Sequence, residues 1–201
     1  HVLSPVLNIG SGTSEFRKDK QPFIQDYIIG PMESRGVNFI HVDEKSGPGI
    51  DLHGDIYDRA LQQKIRSFSP KSIMCCNMLE HVQDREKLAN LLTDFLPHDG
   101  ILVITVPHSF PYHADPIDTL YRPDIDQLAG LFPNIEMLDA GIVDCGSYAD
   151  ILKKNPSLIP RHIARSIIPF PGFYRWVNGL HRWRWLFRPY QVTCFIGKKL
   201  K

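Results

Sequence analysis

Short, continuous apolar runs alternate along this chain with longer stretches of helical spacing. Val6-Leu7-Asn8-Ile9 is a run of strand length that stops at Gly10. Further runs cover 37–42, ending at Asp43, then 72–76, 101–106 closed by Pro107, 135–143 and 191–197, with a short one at 50–54. Runs without polar alternation suit strands buried on both faces. Between them, 59–68 and 85–95 repeat apolar residues at helical intervals, through Leu88, Leu91, Leu92 and Phe95 in the second. A short helix is expected over 124–132, capped by Asp124. In 21–35 the spacing of Phe23, Ile24, Tyr27 and Ile28 predicts a helix whose buried face they form, with Gly30-Pro31 ending or kinking it. This alternation predicts an α/β fold: a Rossmann-like, doubly wound, mostly parallel sheet of seven strands with helices on both faces. The 148–189 stretch is too long for a simple loop and is expected to be a helical cap inserted before the last strand. Residues 1–201 are read as one domain.

In such a sheet a ligand binds beyond the carboxyl ends of the strands, where strand order reverses. Gly10-Ser11-Gly12 stands there, its glycines allowing a tight turn and close backbone approach. A dinucleotide site needs a third glycine, and here that position is Glu15, a carboxylate that would repel a pyrophosphate. Asp43, at the end of the second strand, is placed to accept ribose hydroxyls.

These pieces resemble the class I S-adenosylmethionine-dependent methyltransferases, in the group with a generic small methyltransferase domain. The resemblance runs over about 6–141 plus the last strand. It rests on the 6–14 stretch, Val42-Asp43, Gly54-Asp55-Ile56, Asn77-Met78-Leu79-Glu80-His81-Val82 and the 96–102 stretch. It implies S-adenosylmethionine as cofactor, with Gly10, Ser11 and Gly12 lining its methionine part and Asp43 on the ribose. Asp55 and Ile56 would flank adenine, and Asn77 and Met78 would face the methionine end. Asn8 stands where the family often has an acid, and its amide still offers hydrogen bonds there. Ser14 replaces the third glycine of the family loop.

Methyl transfer needs alignment of the acceptor, and a base only when the acceptor must lose a proton. The stretch after the fifth strand is rich in suitable groups: His108, Tyr112, His113, Asp115 and Asp118. His113 or His108 is expected to serve as base, oriented by Asp115, with Tyr112 and Arg122 toward the substrate. Some relatives hold a divalent metal on two acids three apart plus the following His. Here Asn77 takes the first acid's place, so no metal is expected and Glu80 and His81 are read as structural, the alternative being that Glu80, His81 and a later His still make a metal site. The run from Tyr112 to Arg122 looks like relatives from bacterial surface-polysaccharide pathways. That resemblance makes O-methylation of a glycan, a lipid-linked sugar or a small molecule the expected activity. A non-catalytic module of the same fold is the alternative.

Charge divides the chain. All 22 acids but only 12 of the 23 Lys and Arg lie at or before 150, so the first 150 residues carry −10 and the last 51 carry +11. Within the cap, 161–188 interleaves arginine with Phe, Tyr and Trp and contains no acid. This segment suits an anionic acceptor or peripheral contact with an anionic membrane. It also suits packing on the acidic part, while nucleic acid is not expected. Four cysteines without a CxxC spacing, no signal peptide and no apolar run of spanning length suit a reduced, cytoplasmic setting.

Overall fold

The structure, a computed structural model, describes residues 3–113, 117–167, 176 and 180–201. Its seven strands are β1 (Val6–Ile9), β2 (Phe39–Asp43), β3 (Leu52–His53), β4 (Ser72–Cys76), β5 (Ile101–Ser109), β6 (Ile135–Asp144) and β7 (Gln191–Lys199). They form one sheet in the order β3-β2-β1-β4-β5-β7-β6. Strands β1 to β5 pair in parallel, and β7 runs antiparallel between β5 and β6. The order reverses between β1 and β4, so the carboxyl ends of these two strands open the crevice where this architecture binds ligands.

Side-chain alternation divides the core in two. Leu7 and Ile9 join the larger cluster, with Ile73, Cys75, Leu102 and Ile104. Helices α3 (Arg59–Ser67) and α4 (Arg85–Phe95) close this face through Leu61, Ile65, Leu88 and Leu92. Val6, Phe39 and Met74 point the other way, onto Ile29. Asp58 and Asp84 cap α3 and α4 by accepting backbone N–H groups. Asp124 and Gln127 cap α5 (Ile125–Gly130) reciprocally.

The segment covering the second face departs from the expected helix. It is built from π-helical turns at Phe16–Lys20 and Gln25–Ile29, with α1 (Pro22–Ile24) before the second and α2 (Gly30–Glu33) after it. Gly30-Pro31 does not stop the chain, because the wider turn before it accommodates a residue with no N–H to donate. The turn also shifts the buried face. Ile24, Ile29 and Met32 pack on the sheet, while Phe23 and Tyr27 are 52% and 80% exposed. The five-residue step from Ile24 to Ile29 is one π turn, which a 3.6-residue period misses.

Pro107 does not end β5 either. Pairing with β4 stops at Thr105, so Pro107 lies where only β7 needs a bonded neighbour. In the stretch before β7, α6 (Tyr148–Lys154), α7 (Leu158–Ile167) and a 3-10 turn (His181–Trp185) are helical, and Tyr148, Leu152 and Trp185 form a small core of their own. No helix among the described residues is long and apolar enough to cross a membrane.

Candidate active site

The glycine loop leaves β1 beside the crevice. Gly10 and Gly12 both adopt left-handed backbone, φ 69° and 63°, where a side chain is strained. Both also have close neighbours: a Cβ on Gly10 would lie 3.2 Å from Sδ of Met78, and one on Gly12 2.6 Å from the Phe16 ring. Three bonds tie the loop to β2. The N–H groups of Gly10 and Ser11 share the Val42 carbonyl, and Gly12 N–H donates to Oδ2 of Asp43 at 2.7 Å. Oδ1 of Asp43 accepts the Lys45 N–H at 2.9 Å. Asn77, also left-handed, sits at the tip of β4, its N–H on the Thr105 carbonyl.

The other expected cofactor residues divide. Asp55 is exposed and its carboxylate turns back to the Tyr57 N–H. Ile56 is buried in the main core. Asn8 is buried and turned toward β2, its Nδ2 bonded to Nδ1 of His41 at 3.2 Å. Burial, then the nearby charge of Arg17, holds His41 down to about 4, so its ring stays neutral and accepts from Asn8.

Arg17 was not legible as a site residue. It is buried, and its guanidinium donates to the carbonyls of Ser11, Gly12 and Gly49. It thereby fastens the glycine loop to the loop between β2 and β3. Burial lowers its pKa against the opposing pull of Asp51, Glu33 and Asp43. Glu15, by contrast, is exposed and pairs with Lys20.

A second cluster stands beyond β4 and β5. Glu80 and His81 lie on the 3-10 turn Leu79–His81 just after β4. Glu80 is fully buried, and neither carboxylate oxygen has a hydrogen-bond partner. Its pKa is pushed up to about 7 by burial, which outweighs the pull of its own backbone N–H and of the charges of His81 and Arg122. Nε2 of His81 and Nε2 of His113 approach Oε1 of Glu80 at 3.7 and 3.9 Å. The two imidazoles meet edge to face at 5.1 Å.

His113 is oriented by Asp118. Oδ2 of Asp118 accepts the backbone N–H of His113 at 2.9 Å and lies 3.3 Å from its Nδ1. Arg122 grips both Asp118 oxygens at 3.1 and 2.7 Å. Burial would raise the Asp118 pKa, but Arg122 and the N–H donors of His113 and Leu120 overcome it and hold it at about 2. Arg122 therefore faces Asp118 and three nearby carbonyls rather than an open pocket. His108 is bonded to the Pro123 carbonyl, and Tyr112 is exposed. Asp115 lies outside the described residues. The loop is tied down at both ends. Thr119 donates its N–H and its hydroxyl to the Glu80 carbonyl, each at 2.8 Å, while the Phe110 ring meets His113 edge to face and Tyr190 at a tilt.

The fold has solved counterparts. A SAM-dependent methyltransferase from Archaeoglobus fulgidus superposes with a TM-score of 0.55 at 16% identity, over 96% of this chain and 85% of its own. The cyclopropane synthase MmaA2 from Mycobacterium tuberculosis gives 0.55 at 13%, over 98% and 79%. This is the class I methyltransferase fold. Coclaurine N-methyltransferase, solved with N-methylheliamine and S-adenosylhomocysteine, shares the methyltransferase fold at a TM-score of 0.50 and 12% identity, over 96% of this chain and 67% of its own. No protein-family model and no curated protein sequence matches the chain. Within the methyltransferase fold, the glycine loop and the Glu80–His81–His113 cluster occupy the ends of neighbouring strands at the switch point, β1, β4 and β5.

Proposed function

We propose that this chain is an S-adenosylmethionine-dependent methyltransferase that acts on a hydroxyl oxygen. The observation that carries the reading is the left-handed glycine loop, pinned by Gly12 to the Asp43 carboxylate at the switch point. The residues suit this cofactor. Gly10, with no side chain, packs its backbone against Met78 and lets a ligand approach that backbone closely. Asp43 has further lone pairs for hydroxyls. The exposed Glu15 opposes a pyrophosphate. Bound S-adenosylmethionine supplies a methyl group on an activated sulfonium.

This chain's own task is at the acceptor end. A hydroxyl must lose its proton as its oxygen gains a methyl group. Nε2 of His113 is the group to take it. Asp118 faces Nδ1 and stabilises the imidazolium that results, and Arg122 keeps Asp118 ionised. A glycan, lipid-linked sugar or small molecule is the acceptor class proposed. The cap supports a membrane-linked acceptor: Ile159, Ile163 and Ile167 expose an i, i+4, i+8 stripe on α7 in a segment without acids.

Calorimetric titration with S-adenosylmethionine, S-adenosylhomocysteine and NAD tests the cofactor. The first two bind, Asp43→Ala weakens both at least about tenfold, and NAD does not bind. Binding of NAD alone, or of none of the three, overturns the reading. Co-sedimentation tests the cap: anionic vesicles pellet the protein, neutral ones do not, and Ile163→Asp abolishes pelleting.

A further inference from the structure

We propose that Glu80, His81 and His113 form a binding site for a single divalent transition-metal ion, zinc being the ion their chemistry fits best. The proposal stands on this cluster alone and does not require the methyl-transfer reading.

The first observation is the carboxylate. A buried carboxylate with no partner on either oxygen is costly, and such groups are normally paired or coordinate metals. The second is what faces it. Nδ1 of His81 contacts the Ile117 carbonyl, which can only accept, so in the neutral ring Nδ1 carries the hydrogen. Nδ1 of His113 faces Asp118 at 3.3 Å and the Pro111 carbonyl at 3.4 Å, again acceptors only. Both neutral rings therefore turn the lone pair of Nε2 toward the carboxylate. With Glu80 ionised, three acceptors converge with no hydrogen between them, and a cation is what such a set attracts.

The geometry is close to that of a bound ion. The three donor atoms lie within 4.8 Å of one another, and the two imidazole nitrogens stand 3.7 and 3.9 Å from Oε1. Metal–ligand bonds of ~2.0–2.1 Å at tetrahedral angles space donors roughly 3.3 Å apart. Closing the two Oε1 distances by about half an ångström, and drawing the two imidazole nitrogens together from within 4.8 Å, completes the set. The far ring nitrogens already have the carbonyl and carboxylate partners that orient metal-bound histidines. Thr119 clamps the loop carrying His113 to the turn carrying the other two. Two imidazoles and one carboxylate suit zinc and similar ions, whereas magnesium and calcium prefer all-oxygen sets. Three protein ligands leave a position open, as in catalytic sites. On the methyl-transfer reading, an acceptor hydroxyl at that position would lose its proton to solvent more readily, taking over the task given above to His113.

The test uses the full chain stripped of metal and titrated with zinc chloride against a chromophoric chelator, with Co²⁺ as a spectroscopic reporter. The expected result is one equivalent bound at sub-micromolar affinity, with proton release near neutral pH. Glu80→Gln, His81→Ala and His113→Ala should each weaken binding at least about 100-fold, and Asp118→Asn roughly 10–100-fold. His98→Ala should change nothing. Absence of binding overturns the proposal, as does zinc affinity unaffected by Glu80→Gln and His113→Ala. If a histidine variant fails to fold, Glu80→Gln decides, since it keeps the side-chain shape and removes a buried charge. S-adenosylhomocysteine titrated into the same samples reports the cofactor site separately, so either idea can fail alone.

Discussion

Replacing Asp118 with Asn removes one charge and little else. The amide keeps the shape and can still accept from the N–H of His113 or Leu120, but Arg122 loses the anion that both its bonds reach. The magnitude follows from the two states of the carboxyl group. Its ordinary value is 3.8, and the fold holds it at about 2. Each pH unit between them is worth about 1.4 kcal/mol, which gives roughly 2 kcal/mol of stability for the ionised form. In a chain of this length that is a fall in Tm of roughly 4–8 °C. The direction with pH is fixed because the folded value is the depressed one. The advantage of wild type over Asp118→Asn is full above about pH 4, near half at about pH 3, and lost as pH falls through about 2. Urea unfolding of both proteins at pH 7, 5 and 3 measures it. A gap below about 0.5 kcal/mol at pH 7, or one that does not shrink between pH 5 and pH 3, refutes the ionised pair. The same variant separates orientation from binding. Methyl transfer to the acceptor should fall about 100-fold or more, with affinity for S-adenosylhomocysteine unchanged.

Three further outcomes follow from the loop and its supports. His41, held down to about 4 from 6.5, favours folding only while neutral; relative to His41→Gln, wild type should lose roughly 3 kcal/mol as pH falls from about 6.5 to 4, seen in urea unfolding across that range. Gly12→Ala puts a methyl group 2.6 Å from Phe16 at φ 63°; it should lower S-adenosylhomocysteine affinity at least about tenfold and stability by about 1–2 kcal/mol, read by calorimetry and thermal melting. Arg17→Met empties three carbonyl contacts in a buried setting; it should cost about 2 kcal/mol or more and speed hydrogen exchange in 10–14 and 46–50, and unchanged exchange there would count against the clamp.

Most of the fold was legible because its strands are buried on both faces. Such strands read as unbroken apolar runs, and 72–76 and 85–95 match β4 and α4 residue for residue. The failures lie where local rules compete with context. A Gly-Pro pair ends a helix that keeps a 3.6-residue period, but a π turn ahead of it removes the conflict and moves the buried face from Phe23 and Tyr27 to Ile29 and Met32. Pro107 ends a strand bonded on both sides, yet β5 has outrun β4 by that point.

The candidate site shows the same division for a different reason. Strand-end residues such as Gly12 and Asp43 are placed by topology, so motif order was enough to bring them together. Side chains that depend on how a loop folds back were not placed. Asp118, not singled out to orient the base, faces His113, while Asp115 lies outside the described residues. Arg122 turns to Asp118 instead of the acceptor because a desolvated carboxylate is its strongest available partner. Glu80 read as structural because the first family acid is Asn77. The missing partner for it comes from the far side of β5, where spacing along the chain carries no information. Arg17 left even less trace, since an arginine in a charged segment resembles a solvated one until the backbone carbonyls it serves are brought around it. What the sequence conceals here is which polar groups are buried, and at this site those groups set the chemistry.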